Sequence, residues 1–348
     1  MNVFVDRHHE DLYHSLRLLF EKRLGWKLYR PIGEDWFTRG YWAYFTHPAT
    51  VKQFLTTEPG NLLPRDRINE IGKEEDGIYY CFDPNKDGEI ERAVTFEKFM
   101  EMDIDIIISS VAQHDSIYHK LAQEHPSHPK HIVQLGNIGQ HLMIDWSITK
   151  NLLSSTAPFS VPSDVNAAFY HQEFDLNNFS YTPPTHQKTI RSFINILPST
   201  RDYPLYRQLK ERFPDYHVQS FGGQCEDGSF GKTTDLAQAI KDSGWIWHVK
   251  DGGDGFGHIL HNAFACGRPV ITKRGYYADK LGGILMRDKE TCIDLDVRNW
   301  DQSLTLIREF SEPDRHLELC QNAYKRFKEV VDFDREFEEI KSFLNRLK

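Results

Sequence analysis

Residues 243–283 read SGWIWHVKDGGDGFGHILHNAFACGRPVITKRGYYADKLGG, and the reading of this stretch decides the fold. Residues 245–249 are an apolar run too short for a helix and predict a buried strand. Residues 251–257 hold Gly252, Gly253, Gly255 and Gly257 and predict a loop, and residues 258–266 predict a helix. A Gly-Arg-Pro turn leads to a second strand at 270–273. The result is one β-loop-α-β unit with a glycine-rich loop directly before a helix start. Free backbone N–H groups and the positive end of the helix dipole favour an anion there, and a phosphate or pyrophosphate is the natural guest.

Outward from this unit the alternation continues. Strands are expected at 192–197 and 216–221, with a helix at 204–213 between them. Towards the start, strands at 2–5, 26–29, 104–109 and 131–135 are expected, with a helix after the first whose inner stripe is Leu12, Leu16, Leu19 and Phe20 and whose stop is Gly25. Strand and helix in turn predict parallel sheets with ligand loops at the strands' carboxyl ends. That rule puts Asp6, His8 and His9 at a cleft. A chain of 348 residues exceeds one ordinary core, so two domains are expected. Residues 168–175 read as the last strand and exit loop of the first domain, and Ser180 to Thr185 read as a linker. The boundary is placed near 186: an acceptor-side domain at 1–186, a nucleotide-sugar-binding domain at 187–332, and a last helix at 333–348 crossing back to the first.

The run GDGFG followed by HILHNAFACGRPVI resembles the donor-binding signature of GT-B glycosyltransferases, especially the retaining group with two acidic residues eight positions apart, similar to glycosyltransferase family 4. The resemblance implies an α/β fold of two Rossmann-like domains facing each other across a cleft. Asp254 falls where the first family glutamate sits, Gly255, Phe256 and Gly257 match as written, and Asn262 falls on the second glutamate. Asp254 would hold the donor sugar's hydroxyls. Asn262 keeps hydrogen-bonding capacity towards a ribose but not the charge. Gly253 and His258 flank the matched loop, and Lys273 and Gly275 stand where family members bind donor phosphate or sugar. Arg201 is placed to neutralise the leaving diphosphate, but position 206, where the family has a lysine, is Tyr206. Arg207, Lys210 and Lys232 are the alternatives, each also readable as a solvated surface charge. His8 and His9 match the loop in which inverting members carry a catalytic base. Retention by front-face transfer is expected from the resemblance, inversion if either histidine is the base.

Other features narrow the partners. No run of 18 apolar residues exists and the charge arrives too early at Asp6 for a signal peptide, so a cytoplasmic protein without membrane insertion is expected, in a host cytoplasm if viral. Five scattered cysteines without metal-ligand spacing suit a reducing compartment. No metal and no cofactor is expected, a UDP-sugar being the most suitable donor substrate. Net charge −9 speaks against a generally basic nucleic-acid surface, but residues 1–73 carry 11 Lys or Arg against 9 Asp or Glu. A soluble acceptor follows. One candidate is DNA with hydroxymethylated pyrimidines, as modified by viral enzymes of this fold, held by the aromatics between 36 and 45 interleaved with basic residues; those aromatics are equally readable as core. A non-transferring sugar-nucleotide-binding protein or an epimerase on the same fold is the other alternative. Asp83, Asn85, Asp87 and Gly88 imitate a calcium loop, but Val94 stands where the bidentate glutamate is needed, so a hairpin is expected.

Overall fold

The computed structural model describes residues 1–6, 9–31, 71–83, 89–94, 96–110, 112 and 115–348. His8, the aromatic segment 36–45 and the turn 84–88 lie outside the described residues. The chain divides into two compact units, Met1–Phe174 with Phe333–Lys348, and Asp175–Asp332.

The first unit is built on β1 (Asn2–Val5), β2 (Lys27–Pro31), β3 (Ile71–Glu75), β4 (Ile78–Asp83), β5 (Glu89–Val94), β6 (Ile106–Ser109), β7 (Lys130–Leu135), β8 (Asn151–Ser154) and β9 (Asn166–Phe169). They form one sheet in the order β3-β4-β5-β2-β1-β6-β7-β8-β9. Neighbours from β5 to β9 run parallel. The edge strands β3, β4 and β5 are antiparallel, with Asp83 opposite Glu89, so the strands that flank the calcium-loop look-alike form a hairpin ladder.

Side-chain alternation along the central strands explains the layers. Val3, Val5, Ile106 and Ile108 point into one core, while Phe4 and Ile107 enter another. Helix α1 (Glu10–Arg17) continues as a wider π turn over Leu18–Arg23 and brings Leu12, Leu16, Leu19 and Phe20 to the first core. Gly25, at φ 68°, ends it. Helices α2 (Phe96–Glu101) and α3 (Asp115–Glu124) supply Phe99, Tyr118 and Ala122 to the second. Each such buried side chain contributes about 1.5–3 kcal/mol.

The second unit holds β10 (Thr189–Ser192), β11 (His217–Ser220), β12 (Trp245–Trp247), β13 (Val270–Thr272) and β14 (Cys292–Asp294), all parallel, in the order β11-β10-β12-β13-β14. Its helices are α4 (Tyr203–Arg212), α5 (Thr233–Lys241), α6 (His258–Ala265), α7 (Leu281–Leu285), α8 (Trp300–Glu309) and α9 (Pro313–Val330). Ile190, Trp245, Trp247, Ile271 and Ile293 pack under α4, α8 and α9. The first strand sits earlier than the expected 192–197. The apolar run continues past it because Phe193 and Ile194 are buried from a loop and Leu197 from the 3-10 turn Leu197–Ser199.

The division between units falls at 174/175 rather than near 186. Arg268, fully buried, donates to Thr182 O at 2.9 Å and Thr182 Oγ1 at 3.0 Å, and Tyr181 packs on Tyr324, so the expected linker is fastened to the second unit. The last helix, α10 (Phe333–Leu344), belongs to the first unit. Ile340, Phe343 and Leu344 enter the core beside α1, and Glu336 accepts from His171 N and Nδ1, both at 2.7 Å. Among the described residues no helix is long and apolar enough to cross a membrane.

Candidate functional site

Because the strands of the second unit all run the same way, their carboxyl ends share one edge, and the loops that leave them meet there. The loop after β10 ends in Arg201 and Asp202, that after β12 spans His248 to Gly257, that after β13 carries Lys273 to Tyr277, and that after β14 carries Asp296. Hydrogen bonds tie the four together. Arg201 N donates to Asp251 Oδ1 at 3.3 Å, and Asp202 accepts from Lys273 Nζ at 2.7 Å and Tyr276 Oη at 2.6 Å. The Gly275 amide donates to Asp296 Oδ2 at 3.0 Å.

The glycine loop is shaped by positions where a side chain would not fit. Gly253 has φ 67°, and a Cβ on it would lie 2.4 Å from Tyr276 O. Gly257, at φ 83°, is the N-cap of α6 and has no side chain to offer the first amides of the helix. Phe256 is buried with its ring stacked on His261 at 4.0 Å and edge-on to His258 at 4.8 Å, which anchors the loop to the first turns of the helix. One turn into α6, Asn262 is 5% exposed and its Oδ1 has no hydrogen-bond partner among the described residues. A buried acceptor in that condition can take a donor from water or from a guest.

Asp254 is held from two sides. Its Oδ2 accepts from His248 Nε2 at 2.6 Å, and its Oδ1 is paired with Lys250. Burial pushes the carboxyl up, but the hydrogen bonds and charges of His248 and Lys250 outweigh it and keep the group well below the usual carboxylate range. It is therefore an ionised acceptor and a poor proton donor. For Asp202 burial again acts upward, and Lys273 and Tyr276 again prevail, so its carboxyl also lies below the ordinary value.

The structure thus brings Arg201, Gly253, Asp254, Gly255, Phe256, Gly257, His258, Asn262, Lys273 and Gly275 to one edge of the second unit. Several are already engaged: the Asp254 carboxylate by His248 and Lys250, the Gly253 amide by Lys250 O, the Arg201 amide by Asp251, the Gly275 amide by Asp296, and the Lys273 ammonium by Asp202. The backbone contact expected of Gly275 is available to a guest only if Asp296 is displaced. Arg201 is exposed, with its charge lowering the Asp202 carboxyl. Tyr206 is buried between Tyr203 and Trp247. The alternatives to it are surface charges: Arg207 lies 4.0 Å from Glu211, Lys210 lies 2.9 Å from Glu226, and Lys232 is exposed before α5. His9 belongs to the first unit, exposed at the N-cap of α1, where its carbonyl and not its ring caps the helix. Asp6, expected at a ligand edge, is 1% exposed and accepts from Ser110 N at 2.9 Å. Among the described residues no three His, Cys, Asp or Glu side chains gather as a metal cluster. Sequence reading missed His248, Lys250, Asp202 and Asp296; the signal for the first three was their closeness in the chain to residues it had chosen, and Asp296, 21 positions from Gly275, carried none.

The chain matches no protein family and no curated protein by sequence. Solved structures do match it along its length. HepE of Anabaena in complex with UDP is 10% identical with a TM-score of 0.63, covering 99% of this chain and 100% of that one. A glycosyltransferase from Rickettsia africae is 9% identical with a TM-score of 0.61, covering 99% of each chain. A TarM variant from S. aureus, crystallised with UDP and alpha-GlcNAc-glycerol among its ligands, is 10% identical with a TM-score of 0.61, again covering 99% of each. The chain has the GT-B fold of these proteins, mixed α/β on parallel sheets.

Proposed function

We propose that this protein is a glycosyltransferase that moves a sugar from a nucleotide-diphospho-sugar, UDP-linked, to a soluble acceptor in the cytoplasm, with retention of anomeric configuration and without a metal. The observation that carries the reading is the start of α6. A helix start whose N-cap is a glycine, a glycine loop and an Asn262 acceptor that is buried and unpartnered among the described residues lie within two turns of one another. That is what a ribose-diphosphate needs. The fold supports it, since HepE was solved with UDP and with UDP-glucose.

In this reading the amides of α6 with Arg201 and Lys273 neutralise the diphosphate as it departs, the charge stabilisation that a metal would otherwise supply. Asp254 accepts a hydrogen bond from a donor-sugar hydroxyl and stabilises positive charge as the bond from C1 to phosphate breaks. The acceptor oxygen bonds to C1 on the same face, and its proton leaves with the phosphate oxygen. Retention rests on the resemblance.

A panel of UDP- and GDP-sugars tests it. One donor should release its nucleoside diphosphate, and Asp254→Ala should lower that rate by about a hundredfold or more with UDP affinity within about threefold of wild type. A folded chain without affinity for any of these donors would overturn the proposal. The product anomer, read by NMR, decides retention; an inverted product would return attention to His8 and His9.

A further inference from the structure

His248 is the residue of the donor loop that sequence reading did not select, and its setting is unusual for a surface loop. It is 2% exposed. Its backbone is fastened to β13 at both ends, N–H to Ile271 O at 2.9 Å and carbonyl from Thr272 Oγ1 at 2.9 Å. The ring therefore has little freedom. It lies 5.9 Å from the buried Tyr277 ring on one side and points Nε2 at Asp254 Oδ2, 2.6 Å away, on the other.

The hydrogen-bond inventory fixes which ring nitrogen donates. Asp254 is ionised and accepts only, so Nε2 carries the proton and donates. Nδ1 is buried with no partner among the described residues. The groups facing the ring are Asp254, Tyr277 and, across the carboxylate, Lys250.

We propose that His248 is a positioning residue of the donor-sugar site: it fixes Asp254 as an oriented acceptor whose remaining lone pairs face a sugar hydroxyl. Lys250 completes the clamp from the solvent side, 31% exposed where His248 is closed off. The proposal rests on the glycosyltransferase reading and adds that a rigid imidazole, not the flexible lysine, sets the acceptor's geometry. Binding energy for the nucleotide comes from other groups, so loss of the imidazole should strike turnover and leave the nucleoside diphosphate in place.

The test compares His248→Gln, whose amide N–H can reach the same oxygen, with His248→Leu, which cannot donate. Steady-state turnover of the donor found by the panel is measured beside UDP affinity by calorimetry and thermal unfolding. His248→Leu should lose kcat about thirtyfold or more with UDP affinity within threefold. His248→Gln should recover to within about fivefold of wild type. In 15N-histidine NMR, the resonance missing from His248→Gln should show a protonated Nε2 and should move with the intact UDP-sugar but not with UDP. Turnover of His248→Leu equal to wild type, or equal losses of UDP affinity and kcat in both variants, overturns the positioning role while the glycosyltransferase reading stands. Wild-type chain that binds no UDP-sugar overturns both.

Discussion

Asp202 Oδ1 accepts a hydrogen bond from Lys273 Nζ at 2.7 Å across 71 positions of sequence. The pair joins the loops after β10 and β13 and satisfies the lysine that the proposal assigns to the donor phosphates. A diphosphate must compete with that carboxylate. Asp202→Asn removes the competing charge and is expected to tighten UDP binding about three- to tenfold, the equivalent of about 1 kcal/mol. The gain should shrink as salt is raised, because the ammonium is 21% exposed and reachable by counterions. Calorimetry at two ionic strengths checks it; an unchanged or weaker affinity would remove Lys273 from the phosphate site.

Two adjacent glycines separate conformational strain from steric closure. Gly252 has φ 76° and open space around it, whereas Gly253 has φ 67° and Tyr276 O where a Cβ would be. Gly252→Ala should cost about 1–2 kcal/mol, the ordinary penalty of a left-handed residue. Gly253→Ala should cost about 2–4 kcal/mol, because the loop after β13 must also give way. Urea unfolding of both variants gives the comparison. Equal costs would mean that the two loops are not in contact.

Asp115 gives a pH signature in the first unit. Burial pushes its carboxyl up to about 6, with the Thr149 hydrogen bond opposing. His131 Nδ1 lies 3.5 Å away, but burial takes that ring down to about 3, so it brings no positive charge at neutral pH. A carboxyl with a folded value above its unfolded one binds more protons when folded, so stability falls as pH rises from about 4 to about 6. Above that window the penalty is complete. Asp115→Asn keeps an acceptor for Thr149 and cannot ionise. It is expected to stabilise the chain by about 1–3 kcal/mol at pH 8 and to leave it unchanged near pH 4. A variant no more stable than wild type at pH 8 contradicts this.

Much of the scaffold was legible because it depends on local pattern. The alternation of apolar strands and amphipathic helices predicted parallel sheets, and the helix expected at 258–266 is found at His258–Ala265. The failures have local causes too. The run after Ile190 reads as strand beyond Ser192 since Phe193 and Ile194 in the loop and Leu197 in the 3-10 turn after it are as apolar as the strand. Cys292–Asp294 was not expected, being only three residues with one charge, and it is a strand by virtue of its ladder to Val270–Thr272. The boundary near 186 missed Arg268, whose bonds to Thr182 bind a polar, proline-containing stretch that composition marks as a linker.

By itself the sequence determined the β-loop-α-β unit and its glycine loop, because backbone geometry there depends on which residues lack a side chain. Whether Asp254 stands free or clamped was decided only by the tertiary structure. The strand ends bring His248 beside Asp254 and Asp202 beside Lys273, and a hydrogen bond depends on distance in space, which residue type and spacing do not contain.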